Sequence, residues 1–423
     1  MLIQFRFKNF KSFRDETILD MSATKITEHT DRVINIGNEK LLPCAAIFGA
    51  NASGKSNVVE AFRYMSCYIE ESFAYGGEED GKKTQNKKLK FKPFLFDEIS
   101  KNEDMLFEVY FTLPEDDKDK TYNYGFTLNK NRVVEEWLNV KAKTAREYKK
   151  IFSRNEKGMD LSGLPKKSQD NIGVALEKEA LIVSLGAKLK IAKLKIIRDW
   201  FQDNEAINFG NVVENFFVSN MIPEGFDTDK KVRQDVIKYF ATFDSSIIDF
   251  KVEKIHIPDE KDDDGENFKV EAVHRTINGG TIAIPLEEES AGTLKMFAIY
   301  PDLQETLKKG SVLVIDELNS RLHPLLVRNL LITFLNPKTN PKHAQLIFTT
   351  HDAWQLSNDL LRRDEIWFTE KDQNGVSKLY SLADFMDDDG TKIRKDENYE
   401  KNYLLGKYGA IPTLKYIDIF KEK

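Results

Sequence analysis

Along the chain, stretches where apolar and polar residues alternate give way to stretches with helical spacing, and each change marks an element. Ile3, Phe5 and Phe7 fall on one side of an extended segment from Leu2 to Phe13, with Gln4, Arg6 and Lys8 on the other, so the opening predicts an amphipathic strand. Leu41 to Phe48 is a continuous apolar run ended by Gly49, the pattern of a strand covered on both faces. From Ser56 the spacing changes to Val58, Val59, Phe62, Met65 and Ile69, which predicts a helix. Strand, glycine turn and helix in this order open an α/β domain.

Ala74 to Lys92 is a Gly-, Glu- and Lys-rich break. Strands are predicted around Leu106–Leu113 and Thr121–Leu128, joined by the acidic turn PEDDKDK. Leu189, Ala192, Ile196 and Trp200 step by three or four residues and predict a helix with one buried face; Thr228 to Phe243 is also helical in pattern. Ile247 to Ile284 returns to alternation, broken by DEKDDDGEN. The rest reads helix (Ala291–Leu307), strand (Ser311–Ile315), helix (Leu325–Leu335) and strand (Ala344–Thr349), followed by a hairpin, Glu365–Glu370 and Ser377–Leu382, turning at Asn374-Gly375. There is no internal repeat and no sustained heptad. The expected division is an N-terminal part of an α/β head over 1–135, a compact helical insertion over 136–245, and the C-terminal part of the head over 246–423.

Composition adds limits. With 423 residues, 41% hydrophobic and 31% charged, and with 29 Phe, the chain has material for a large core and is no disordered tail. A formal charge of -6 argues against a wholly basic nucleic-acid coat. The 140–200 region is different, with 15 Lys/Arg against 7 Asp/Glu. The two cysteines, Cys44 and Cys67, cannot form a disulfide framework and read as buried small hydrophobes. Charges interrupt the apolar N-terminus, and no apolar run approaches the ~20 residues of a membrane span. A cytoplasmic protein with no membrane partner is expected.

The chemistry concentrates in a few places. Gly49-Ala50-Asn51-Ala52-Ser53-Gly54-Lys55-Ser56 matches GxxxxGK[ST], followed by Asn57 at the helix start. Such a loop wraps phosphates with its backbone N–H groups, the lysine reaches the β/γ-phosphates and the serine hydroxyl ligates Mg²⁺. Val312-Leu313-Val314-Ile315 carries Asp316 and Glu317 to a strand end, the edge where α/β sheets bind ligands. Asp316 is the candidate Mg²⁺ residue and Glu317 the candidate general base or water-positioning group. His351 follows the next buried strand and is a candidate γ-phosphate contact. Ser290 and Gly292 open a helix shortly before the Asp316 strand, and small residues at a helix start suit an anion.

The segments Asn9-Phe10-Lys11-Ser12-Phe13, GANASGKS, ESAGT, IDELNSRLHP and TTHD, together with the ending Tyr403 to Pro412, resemble the ABC/SMC-like ATPases filed as AAA family ATP-binding proteins. Within that group the chain looks most like the RloA, AbiLi and AriA type of anti-phage defence. The resemblance implies an ABC/SMC-like P-loop NTPase head with a mixed sheet and a β-rich N-terminal lobe, using ATP and Mg²⁺. It implies that Gly49, Asn51, Gly54, Lys55 and Ser56 form the phosphate loop, with Asp316 and Glu317 as the Mg²⁺ and hydrolysis pair and His351 as the switch histidine. Ser290 and Gly292 would read the γ-phosphate held by a second copy in an ATP-sandwiched homodimer. Ala291 stands where the transporter signature has its first glycine, and the Q-loop glutamine has no firm counterpart, Gln85 being the nearest candidate. The resemblance further implies an effector partner encoded nearby, a Toprim or RloB-type nuclease.

Two other functions compete. An SMC/RecF-like DNA-repair head would use the basic 140–200 region, Lys188, Lys190, Lys193 and Lys195 above all, on DNA or RNA, with steep salt dependence. A nuclease would use Asp384 and Asp387-Asp388-Asp389 as metal ligands, although only about 60 residues remain once the hairpin after His351 begins, too few for a Toprim domain. A transporter ATPase fits poorly, since nothing matches a coupling segment.

Overall fold

The N-terminal alternation becomes a strand with one irregularity. In a computed structural model that describes residues 1–75, 89–113, 120–210, 222–255, 267–386 and 390–412, β1 (Leu2–Lys8) buries Leu2, Phe5 and Phe7 in the main core. Ile3, predicted to share that face, instead joins Met1, Ile34 and Leu41 in a small separate cluster. The cause is a break in pairing register between Leu2 and Gln4, which turns the first residues over.

β2 (Thr17–Asp20) pairs with β1, and a short hairpin of β3 (Ile34–Ile36) and β4 (Glu39–Leu41) follows. The apolar run becomes β5 (Cys44–Gly49), buried throughout, and Lys55–Glu71 forms α1. β6 (Met105–Thr112), β7 (Lys120–Leu128), β8 (Val133–Ala142), β9 (Lys149–Asn155) and β10 (Gly158–Asp160) then build outward from β1. Together they make a seven-stranded antiparallel sheet, ordered β10-β9-β8-β7-β6-β1-β2.

Residues 136–245 therefore differ from the expected helical insertion. Their first part is strand, because Trp137, Leu138, Val140, Ile151 and Phe152 continue the alternation of the N-terminal lobe. Helices α2 (Lys166–Ala175), α3 (Ile182–Lys188) and α4 (Ala192–Gln202) follow, and β11 (Glu205–Asn208) joins the other large sheet. In α4 the buried face is Leu194, Ile197, Trp200 and Phe201, whereas Leu189 and Ile196 of the predicted stripe are exposed. Leu189 precedes the helix, which starts only at Ala192, so it could not set the phase.

The second large sheet is ordered β11-β15-β16-β5-β17-β18, with β15 (Val312–Asp316), β16 (Gln345–Thr349), β17 (Ile366–Lys371) and β18 (Ser377–Ser381). All neighbours are parallel except the terminal hairpin β17–β18, so the sheet is mixed as expected. Helix α1 contributes Val58, Val59, Phe62, Met65 and Ile69 to a core shared by Phe5 and Phe7 of one sheet and Val314 and Ile347 of the other. Gln345, fully buried, accepts a hydrogen bond from Leu2 N (2.7 Å) and donates to Leu2 O and Leu42 O (3.0 Å each), tying the sheets together without an unmet polar group. Glu136 is also buried; it accepts from Ile182 N (2.7 Å), Val183 N (3.1 Å) and the Tyr124 hydroxyl (3.0 Å), anchoring the start of α3.

The chain forms two compact units, and neither boundary falls at 135 or 245. One comprises Met1–Asn208, Thr306–Leu318 and Leu331–Lys423. The other, Phe209–Glu305 with Asn319–Leu330, has its own core: α5 (Lys230–Phe240) supplies Val236 and Phe240 against Phe250 and Ala272 of a three-stranded antiparallel sheet, β12 (Ile247–Ile255), β13 (Asn267–Arg275) and β14 (Thr281–Pro285). The chain passes from one unit to the other within α6 (Ala291–Lys309) and α7 (Pro324–Leu335). A last helix, α8, spans Tyr399–Leu404. Gln85, Asp387–Asp389 and most of the two acidic turns lie outside the described residues. No helix among the described residues is long and apolar enough to cross a membrane.

Just before β17, Arg362, Asp364 and Glu365 are all buried. Arg362 donates twice to Asp364 (2.9 and 2.8 Å), and Glu365 accepts from Arg362 N (2.8 Å) through one oxygen, its other oxygen having no hydrogen-bond partner among the described residues. Burial first of all pushes the Glu365 pKa up to about 8. A carboxyl raised on folding adds stability that is complete below its unfolded pKa of about 4.3 and is lost as pH rises through 8. Glu365→Gln, which mimics the protonated form, should lose less melting temperature than the parent between pH 6 and pH 9; parallel decline of the two would contradict the assignment.

Candidate nucleotide-binding site

The phosphate loop hangs between the end of β5 at Gly49 and the start of α1 at Lys55, as the sequence predicts. A Cβ at Gly49 would lie 2.5 Å from Thr369 O and 2.7 Å from Ser53 Oγ. Gly54 has φ 120°, where side chains are strained, and a Cβ there would lie 2.6 Å from Ser377 Oγ. The glycines are required by how closely β17 and β18 press on the loop.

That pressure is made specific by hydrogen bonds. Ser53 Oγ lies 2.6 Å from Thr369 Oγ1 on β17, and the Ser377 hydroxyl on β18 donates to Ser53 O (2.6 Å). Ser377 also meets Ser12, hydroxyl to hydroxyl at 2.8 Å and through its N–H to Ser12 O at 2.7 Å. Asn57 donates its amide to Ser12 Oγ (2.7 Å). The Asn9–Phe13 turn thus props the loop from the N-terminal side. Ser53 and Asn57, candidate ligand residues, use their side chains to shape the loop, and their backbone N–H groups donate to Ala50 O (3.2 Å) and Gly54 O (2.9 Å).

Lys55 is buried and donates to Gly49 O (2.9 Å) and Ala50 O (3.1 Å), holding the loop closed on itself. Burial lowers its pKa, opposed by the charges of Glu317 and Asp316. Asp316, at the end of β15, is almost fully buried; burial raises its pKa, opposed by hydrogen bonds from Thr349 and Ser56. Thr349 Oγ1 is the pivot. It donates to Asp316 Oδ1 (2.5 Å) and accepts from Glu317 N (2.8 Å). Glu317 takes a left-handed φ of 55°, and its Oε2 lies 3.1 Å from His351 Nδ1. The candidate base and switch histidine are therefore in contact.

Lys55 and Glu317 border an open cleft of about 470 Å³, lined also by Asn51, Ala52, Gly54, Ser56, Asn57 and Lys371. Ser56 and Asp316, the candidate metal residues, already touch. A hydroxyl beside a buried carboxylate whose charge burial disfavours fits Mg²⁺, which takes one or two protein oxygens and completes its shell with phosphate and water. Sequence reasoning missed Thr349, Thr369, Ser377 and Lys371. Small hydroxyl residues in strands carry no motif; Lys371 at a hairpin reads as an ordinary solvated lysine.

Ser290 and Gly292 belong to the second unit. Ser290 caps α6, its Oγ accepting from Thr293 N (3.1 Å) and its O from Leu294 N (2.9 Å). Buried Lys295 in the same helix donates to Ser320 O (3.0 Å) and Oγ (2.9 Å). Glu289, just before, meets His274 Nε2 at 2.8 Å. The helix start is a rigid, capped terminus.

The basic region offers less than its charge count. Lys188 lies over the Phe73 ring at 4.9 Å, Lys193 donates to Gly163 O (3.3 Å), and Lys195 pairs with Asp199. Three of the four lysines singled out for DNA are engaged within the fold. Cys44 is buried as expected, and Cys67 is partly buried.

The family model described as "AAA domain, putative AbiEii toxin, Type IV TA system" matches residues 44–353, most of the chain. The chain belongs to this AAA family. Its match runs from the first residue of β5 to just past His351, and so takes in the phosphate loop, both acidic residues and the helix start at Ser290. Comparison with curated protein sequences gives no match. Among solved structures, the chain is similar to an SMC head bound to the C-terminal winged-helix domain of ScpA (15% identity, TM-score 0.45, covering 90% of this chain and 97% of that one). It is also similar to the recombination mediator protein RecF of the RecFOR pathway, solved as RecF-ATPrS (13%, TM-score 0.34, 90% and 98%) and as RecF-ATP (14%, TM-score 0.32, 90% and 97%).

Gly54→Ala should leave the far-ultraviolet circular dichroism unchanged and weaken binding of a fluorescent ATP analogue roughly tenfold or more, the equivalent of ~1–3 kcal/mol of backbone strain. Unchanged affinity would mean that the loop can move away from β18.

Proposed function

We propose that the chain is a cytoplasmic ATPase whose two copies close around ATP and Mg²⁺ and so switch a partner effector on or off. The observation that carries this reading is a cleft bordered by Lys55, Ser56 and Glu317, with Asp316 hydrogen-bonded to Ser56 and His351 against Glu317, all supplied by three parallel strands and one helix. On binding, the Lys55 ammonium exchanges the carbonyls of Gly49 and Ala50 for phosphate oxygens. Mg²⁺, held at Ser56 and Asp316, would neutralise phosphate charge. Glu317 orients the attacking water and accepts its proton at the carboxylate, while His351, already at Glu317, holds the γ-phosphate side of the cleft.

Ser290 and Gly292 lie in the other compact unit. A capped helix start is suited to reading the γ-phosphate of a second copy. Signalling to an effector is supported by the resemblance to RloA, AbiLi and AriA, and a Toprim or RloB-type nuclease in anti-phage defence is the partner we favour.

Lys55→Ala should weaken nucleotide binding at least roughly a hundredfold, the loss of two or more charge-assisted hydrogen bonds. Glu317→Gln should retain ATP, release phosphate far more slowly than the parent, and elute as a dimer with ATP and Mg²⁺ in light-scattering chromatography. A monomer under those conditions would remove the closure; undiminished phosphate release would remove Glu317 from its role.

A further inference from the structure

Lys371 lines the phosphate-loop cleft, yet it belongs to none of the motifs. It is the last residue of β17, the strand that pairs with β5 as far as Thr369 beside Gly49. Lys371 therefore extends two residues past the point where the loop leaves the sheet. Side chains alternate along a strand, so Lys371 shares its face with Thr369, whose hydroxyl meets the loop at Ser53. Ser377, paired with Lys371 across the hairpin, lies on that face too and donates to Ser53 O. Glu370 takes the other face, where a Cβ on Gly409 would lie 3.0 Å from its Oε2.

The Lys371 side chain is exposed, and among the described residues its ammonium has no hydrogen bond, ion pair or aromatic ring. Lys55, by contrast, holds two loop carbonyls, Lys188 sits over Phe73 and Lys195 pairs with Asp199. A cation with no partner beside a phosphate loop can meet an anion without breaking an existing contact.

The sheet order gives the direction of the phosphate chain. The strands run β15-β16-β5-β17, all in the first compact unit. Glu317 and His351, which follow β15 and β16, lie on one side of the loop-bearing strand and Lys371 lies on the other. Three strand spacings, about 14 Å, separate the ends of β15 and β17, and long side chains reach inward from both. With the γ-phosphate at Glu317 and His351, the phosphates run over the loop toward β17, and their other end comes to Lys371.

We propose that Lys371 binds the α-phosphate end of the nucleotide, the part that ATP and ADP share. The inference rests on the nucleotide reading above and adds to it a residue that does not distinguish substrate from product. Lys55 and the Ser56–Asp316 pair act near the bond that breaks, whereas Lys371 holds the end that stays. Such uniform binding lowers the dissociation constant of each nucleotide and leaves the chemical step unchanged. The hairpin thereby keeps ADP in place after phosphate has left.

The test measures dissociation constants of fluorescent ATP and ADP analogues, with Mg²⁺, for the full chain. Lys371→Met keeps an apolar stem and removes the charge. It should weaken both nucleotides by the same factor, roughly tenfold for one charge-assisted hydrogen bond, and leave phosphate release at saturating ATP unchanged. Lys371→Arg should recover most of the loss. Lys378→Met removes the same charge from β18 outside the cleft, and should shift either affinity by less than about twofold at physiological salt. Equal affinities for parent and Lys371→Met, a loss confined to ATP, or an equal loss in Lys378→Met would each overturn the proposal while leaving the nucleotide site in place. A parent that binds neither nucleotide would overturn it together with the nucleotide reading.

Discussion

A methyl group at position 49 or 54 has no room in this fold, and the site is organised around that exclusion. β17 and β18 are brought against the loop so closely that only glycine fits, and the space left by the absent side chains is filled by hydroxyls of Ser53, Thr369 and Ser377 at 2.6 Å separations. Each such bond is worth only about 1 kcal/mol net. Acting together on one short turn, they leave it few conformations, so the turn is in place before a phosphate arrives.

The charges around the loop are balanced with similar economy. Burial disfavours the ammonium of Lys55 and the carboxylate of Asp316 alike, and each is partly relieved by the other. Among the described residues neither finds a full-strength ionic partner; Lys55 settles for two backbone carbonyls and Asp316 for two hydroxyls. A polyanion and a divalent cation arriving together would satisfy both, whereas either alone would leave one buried charge worse off.

Much of this was legible in the sequence, for identifiable reasons. The β5–loop–α1 unit and the strands ending at Asp316 and Thr349 are signalled by continuous apolar runs, which are long enough to exclude other readings. The loop motif names its own chemistry. What was not legible depends on pairing across long sequence distances. Thr349 looks like any strand threonine until Asp316 is seen beside it, and residues 136–160 look like the start of an insertion until β8 is paired with β7. The misplaced stripe of α4 shows a different limit. Leu189 and Ile196 have the right spacing, but the helix begins later than the spacing implies, and its phase is set by the packing of Trp200 on Phe111, rings 4.3 Å apart. The engagement of Lys188 with Phe73 and of Lys193 with Gly163 was invisible for the same reason.

The contact between Ser12 and Ser377 spans 365 residues. During translation the turn that carries the first of these serines leaves the ribosome long before the strand that carries the second. A growing chain can therefore contain the whole glycine-rich motif through most of that interval without the clamp that shapes it. Only when β18 has emerged and folded back does the loop acquire its final form, so a product truncated ahead of β18 lacks a competent pocket even though every motif residue is present. Synthesis as far as β18 is in this way built into the architecture as a condition for nucleotide capture.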